Sequence, residues 1–109
     1  MDELHSVLIK TKGFTNYLVF SDGRVFNFKT DKFLKPYPNQ KGYLRVKLHG
    51  NKQILQIFVH RLVGILFVPN PLNLEQVHHK DHIKTNNDFR NLNWVTNQEN
   101  SDFKNHKMI

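Results

Sequence analysis

The sequence contains no cysteine, which rules out a disulfide framework and a thiolate zinc knuckle and leaves His, Asn and carboxylate groups to hold any metal. No apolar run approaches the roughly 18 residues that span a bilayer, and the opening Met1-Asp2-Glu3-Leu4-His5 lacks the basic start and apolar stretch of a secretion signal. A soluble cytoplasmic protein without a membrane partner is the expectation. Acidic residues are scarce, 9 against 16 Lys and Arg in 109 residues. The resulting charge of +7 and pI near 9.8 favour a polyanionic partner, nucleic acid ahead of anionic membrane. At this length one domain is expected, burying roughly two thirds of the unfolded chain's surface around a modest core. A deep enclosed substrate cavity is not.

What is present falls into stretches of different period. Residues 8–59 are rich in β-branched and aromatic side chains, interrupted by turn signals at Lys12-Gly13, Ser21-Asp22-Gly23-Arg24, Pro36-Tyr37-Pro38-Asn39 and His49-Gly50-Asn51-Lys52. They read as an antiparallel β meander. Residues 17–20 and 24–28 flank Asp22-Gly23, a dipeptide suited to positive φ in a tight hairpin. A second hairpin runs through Tyr43-Leu44-Arg45-Val46-Lys47-Leu48 to Gly50-Asn51 and returns over residues 53–59, with Arg45 and Lys47 on its polar face. Val59, Leu62, Val63, Leu66 and Phe67 then fall at helical spacing, and Pro69-Asn70-Pro71 ends the helix. Beyond it come a short strand over 76–80, a polar loop over 81–88, a strand over 92–95 and a helix from Thr96, whose pairing with Glu99 forms a capping box. The fold class is α+β. No repeat, low-complexity tract or linker divides the chain, so 1–109 reads as one domain.

The densest group of unusual residues is Val77-His78-His79-Lys80-Asp81-His82, followed by Asn86-Asn87, Asn91-Leu92-Asn93-Trp94 and Glu99-Asn100. On a strand His78 and His79 point to opposite sides and can take different roles. Hydrolysis of a phosphodiester needs a base to take a proton from water and a cation to neutralise the phosphate and the leaving oxygen. A neutral imidazole and a metal ligand would supply both. Taken singly, each histidine reads better as an ordinary surface or cap residue, and each asparagine equally well as a turn or cap residue.

The order and spacing of Val59-His60-Arg61-Leu62-Val63, Phe67-Val68-Pro69-Asn70-Pro71, Val77-His78-His79-Lys80-Asp81, Asn86-Asn87, Asn91-Leu92-Asn93-Trp94-Val95-Thr96 and Glu99-Asn100 resembles the phage homing-endonuclease branch of the HNH family. The resemblance implies a ββα-metal motif over 76–107, preceded by a core helix and turn over 59–71 and a basic β-rich DNA-contacting part over 8–59. It implies a DNA endonuclease with one divalent ion that leaves 5′-phosphate and 3′-hydroxyl ends. His79 falls on the general base, His78 and Asn100 on metal ligands, and Asn91 on the central asparagine that braces the loop and so orients the base. Relatives often carry Asp where His78 stands. Imidazole there implies tolerance of Mn²⁺, Ni²⁺ or Zn²⁺ beside Mg²⁺.

Further expectations concern the surroundings. Arg61 reads as a phosphate contact beside the site, and Lys29, Lys32, Lys35, Arg45, Lys47 and Lys52 as cations that track a double-stranded DNA backbone. His60 reads as a satisfied packing residue, and Trp94 and Phe89 as core. Asp81 either anchors the loop or orients His79, while His82 reads as solvated and dispensable. A monomer would mainly nick and a homodimer would cut both strands, with little of the chain left to read a long site. A non-catalytic DNA-binding module and an RNase are the competing readings.

Overall fold

The computed structural model describes the backbone of Ser6–Leu8 and residues 14–98. Turn chemistry decides where the N-terminal half reverses. Strands β1 (Ser6–Leu8), β2 (Tyr17–Phe20), β3 (Val25–Asn27) and β4 (Lys32–Phe33) pair antiparallel in chain order as a four-stranded sheet. A second, three-stranded sheet follows from β5 (Tyr37–Pro38), β6 (Leu44–Gly50) and β7 (Gln53–Phe58). The expected meander is thus split in two. Pro36 lies in the break between β4 and β5, and with no N–H to donate it cannot continue a hydrogen-bond ladder there.

The first hairpin turn lies between the expected flanks at residues 20 and 24, and the second is displaced by one residue. In the first, Gly23 N–H donates to Phe20 O at 2.9 Å and Phe20 N–H to Arg24 O at 2.8 Å. Within this turn only Gly23 has positive φ, 101°, so residues 21–23 form a three-residue turn closed by a left-handed glycine. In the second, Gly50 pairs with Gln53, which puts the turn on Asn51-Lys52. Lys52 takes the positive φ of 64°.

Helix α1 (Val59–Phe67) has its predicted bounds and buries Val59, His60, Leu62, Val63 and Gly64. It ends at Val68, whose extended backbone is the conformation that a following proline imposes. The last hairpin pairs β8 (Gln76–His79) with β9 (Leu92–Val95), placing His79 opposite Leu92 and His78 opposite Asn93. A 3-10 turn, Phe89–Asn91, leads into β9. Tyr17, Val19, Val25, Val46, Leu48, Val59, Leu62, Val63, Val77 and Leu92 form one apolar cluster, so both sheets, the helix and the last hairpin share a core. Gly64 lets α1 approach β8: a Cβ there would lie 2.9 Å from Val77 Cγ2. Asn97 and Gln98 are helical. The remainder of the helix expected from Thr96 to about 106, Glu99 of the capping box included, lies outside the described residues.

Gly23 has a second constraint besides its φ. A Cβ there would stand 3.1 Å from Asn87 Cβ and 3.4 Å from Val59 Cγ1. Gly23→Ala therefore combines backbone strain with overpacking and should destabilise the fold by about 1–3 kcal/mol. The urea midpoint should drop with the slope unchanged; an unshifted midpoint would show that the turn does not hold the loop around Asn87.

Candidate active site

The alternation of β8 sends its two histidines to different environments. Val77 and His79 point inward and are buried, His79 at 4% exposure, while His78 is half-buried on the other face. The His79 ring stacks on Tyr43 at 5.9 Å and 29° and lies 4.9 Å from the ring of His60. Its Nε2 is 2.8 Å from Asn87 Oδ1. Asn87 is itself buried, at 5% exposure.

The loop between β8 and β9 is held by Asn91. Its carbonyl accepts from Lys80 N–H at 2.8 Å and its side-chain oxygen from Asp81 N–H at 3.2 Å. Its amide donates to Asp81 Oδ1 and to the carbonyl of Asn86, both at 2.9 Å. Asp81 also accepts from Asn86 Nδ2 and from Ile83 N–H, both at 2.8 Å. These donors, Asn86 first, hold the Asp81 carboxyl below the ordinary carboxylate range. Of the two roles open to Asp81, the hydrogen bonds are those of a loop anchor. The loop is tied outward as well. Lys84 Nζ donates to the carbonyl of Lys41 at 2.7 Å and lies 5.0 Å from the Tyr43 ring centre, and Phe89 N–H donates to Ser21 O at 2.8 Å. Both N-terminal sheets thereby touch the loop that carries Asn87.

His60 corrects an expectation. It is buried and packed among Tyr43, Phe58 and His79, but it is not satisfied: Nδ1 has no hydrogen-bond partner among the described residues. Burial, followed by the charges of His79 and Arg61, pushes its pKa down to about 3. The ring is accordingly neutral near pH 7, and a cation does not sit against His79.

On the opposite face, His78 and His82 meet edge to face at 5.0 Å. Asn100, the other expected metal ligand, lies outside the described residues. No cluster of three His, Asp or Glu gathers among those that are described, so imidazole nitrogen is the donor on offer there. Such a donor fits a divalent ion of borderline softness.

The expected DNA contacts separate into groups. Lys29, in the turn between β3 and β4, and Lys52, in the turn between β6 and β7, line one hollow of about 400 Å³, together with Asn16, His49 and Asn51. Lys47 and Lys35 are exposed. Arg45 is different: half-buried, with its guanidinium 5.1 Å from the Tyr37 ring centre and Nε buried without a partner among the described residues. Arg61 donates to Glu75 O at 2.8 Å and lies 5.7 Å from the Trp94 ring centre, which ties α1 to the approach to β8. Trp94 and Phe89 pack on the core, and Trp94 Nε1–H donates to Val68 O at 3.0 Å. Sequence reasoning missed Tyr43 and the contact of Asn87 with His79. The Asn86-Asn87 pair was visible, but not which of the two faces inward.

A family model described as HNH endonuclease matches residues 58–102. The chain is similar to the protein named Uncharacterized HNH endonuclease L245 of Acanthamoeba polyphaga mimivirus, 44% identical over 85 residues that make up 78% of this chain and 26% of that protein. It is similar to DNA endonuclease I-HmuI of Bacillus phage SP01, 38% identical over 85 residues, 78% of this chain and 49% of the relative. A solved structure titled "DNA binding and cleavage by the HNH homing endonuclease I-HmuI" aligns with a TM-score of 0.79 at 33% identity, over 97% of this chain and 59% of that one. The chain therefore spans a quarter to a half of the length of these curated relatives.

The depressed pKa of His60 sets a pH dependence. Its pKa is lowered from 6.5 to about 3 on folding, so between those values the unfolded chain binds the proton and the folded chain does not. Stability falls as pH drops through this window, with a slope approaching about 1 kcal/mol per pH unit from this group. His60→Phe should flatten that part of the urea-midpoint profile. A profile of unchanged slope would mean that His60 titrates normally.

Proposed function

We propose, from its likeness to HNH endonucleases, that the chain is a metal-dependent DNA endonuclease of that family whose general base is His79. The observation that carries the reading is the β8–β9 hairpin, where His79 is fixed on the inner face of a loop braced by Asn91. A base needs only one ring nitrogen within reach of a water, so deep burial of the rest of the ring is compatible with the task and restricts its motion. In the reaction proposed, a water gives its proton to the neutral His79 imidazole as it attacks phosphorus, and the bond to the 3′ oxygen breaks. The ends left are a 5′-phosphate and a 3′-hydroxyl. His78 and Asn100 would hold the divalent ion, Mg²⁺ or Mn²⁺ with Ni²⁺ and Zn²⁺ also admitted, and when bound it supplies neutralisation of the phosphate charge.

Duplex DNA is the partner that the charge supports. Lys29 and Lys52, brought to one hollow from the turns of two sheets, together with exposed Lys35 and Lys47, offer a row of phosphate contacts. Arg61 and Arg45 contribute less to binding in this reading, because each is already engaged with a neighbouring ring. A single copy carries one such site and nicks; cutting both strands takes two copies.

The protein should convert supercoiled plasmid to open circles with Mg²⁺ or Mn²⁺ and not with EDTA. His79→Ala should slow the reaction about 10²- to 10⁴-fold, the contribution typical of a general base. Nicking that survives loss of His79 would refute the assignment, and cleavage of RNA alone would redirect the substrate.

Lys52 combines a DNA-facing charge with a strained backbone. Lys52→Asn, which tolerates positive φ, should raise stability by roughly 0.5–1 kcal/mol. If Lys52 neutralises one phosphate, the variant should also reduce the slope of log binding constant against log salt by about 0.9. An unchanged slope would remove Lys52 from the DNA contacts.

A further inference from the structure

We propose that Asn87 is a positioning residue that fixes which nitrogen of His79 carries the proton, and that the turn between β2 and β3 holds Asn87 in place to do so. The inference deepens the reading of His79 as general base and rests on it. A neutral imidazole has one N–H and one lone pair, and which nitrogen keeps the lone pair is set by the partner of the other. Here Nε2 faces the side-chain oxygen of Asn87 at 2.8 Å. An amide oxygen accepts and cannot donate, so the proton belongs on Nε2 and the lone pair on Nδ1. His79 is therefore poised to take a proton through Nδ1.

Burial makes this contact decisive. With Asn87 at 5% and His79 at 4% exposure, water is poorly placed to replace either partner. The two flanking rings, Tyr43 and His60, hold the plane of the imidazole but do not choose its tautomer. Asn91 has another task, since its amide and oxygen are engaged with Asp81 and Asn86.

Asn87 is supported from the N-terminal sheet. Gly23 stands so close that a Cβ would be 3.1 Å from Asn87 Cβ and 3.4 Å from its carbonyl oxygen. Two residues along, Phe89 N–H is bound by Ser21 O at 2.8 Å. The Ser21-Asp22-Gly23 turn thus forms a floor under Asn87. A sheet that reads in sequence as a DNA-contacting part is also part of the support of the base.

The test is the tautomer of His79, read from two-bond ¹H–¹⁵N correlations of the metal-free, DNA-free protein at alkaline pH, so that it does not depend on nuclease activity. Wild type should show the proton on Nε2. Asn87→Leu, similar in branching but without an acceptor, should lose that preference and lower kcat about 10- to 100-fold, the range seen when the partner of a functional imidazole is removed, with KM for DNA unchanged. Asn87→Asp keeps an acceptor oxygen and should retain the Nε2 proton and most of kcat. If Asn87→Leu does not fold, wild type and Asn87→Asp still decide the matter. A wild-type proton on Nδ1, a tautomer indifferent to residue 87, or a loss confined to KM would each overturn the proposal. The Nε2 tautomer in a protein that shows no nicking would instead leave the positioning intact and remove the base assignment it serves.

Discussion

The hydrogen bond between Asn87 and His79 is buried at both ends, so neither group can exchange its partner cheaply for water, and leaving either one unpaired costs about 1–3 kcal/mol. Much of the architecture can be understood as the arrangement that keeps these two side chains in register. β8 must lie close enough to α1 to bury Val77 and His79, which the missing side chain of Gly64 allows. The loop must return at a height that brings Asn87 inward, which the Asn91 network allows. The β2–β3 turn must then close beneath it, which Gly23 allows. Two glycines from distant parts of the chain serve the same contact.

The loop divides its polar work between two faces. Asp81, Asn86 and Asn91 satisfy one another at the accessible side, where each bond competes with water and contributes modestly. Asn87 spends its side chain on the buried side, on a single partner. That division follows from the loop path: successive residues 86 and 87 point in opposite senses, so one closes the loop and the other reaches the core. A brace alone would fix the loop without fixing the ring.

The parts legible in sequence are those written in local period or local chemistry. The α1 bounds follow from apolar spacing and a downstream proline, and β9 from a short strand between the polar loop and the cap signal at Thr96. The buried His79 and half-buried His78 follow from simple alternation on β8. What could not be read depends on contacts distant in the chain. Nothing near Tyr43 announces that its ring stacks on His79, and nothing near Gly23 announces that Asn87 lies behind it. The division of the meander into two sheets falls at Pro36, which was visible as a turn residue but not as a boundary between ladders. Arg45 alternated correctly, yet its guanidinium lies over Tyr37 because β5 pairs beside β6. The metal-ligand assignment of Asn100 and the cap at Glu99 fall outside the described residues.

Charge explains why the inner face is built from neutral rings. The chain carries +7, and the proposed DNA partner and the proposed base at His79 make opposite demands on that charge. A base must remain neutral until it takes its proton, and a cation beside it would hold that proton off. His60, 4.9 Å from His79, would be such a cation if it titrated in the ordinary histidine range. Its burial among Tyr43 and Phe58 prevents this. The unsatisfied Nδ1 of His60 is thus the cost of placing an imidazole where only a neutral ring is tolerated, while the positive charge that the proposed DNA partner would meet stays outside, on exposed lysines such as Lys35, Lys47 and Lys52.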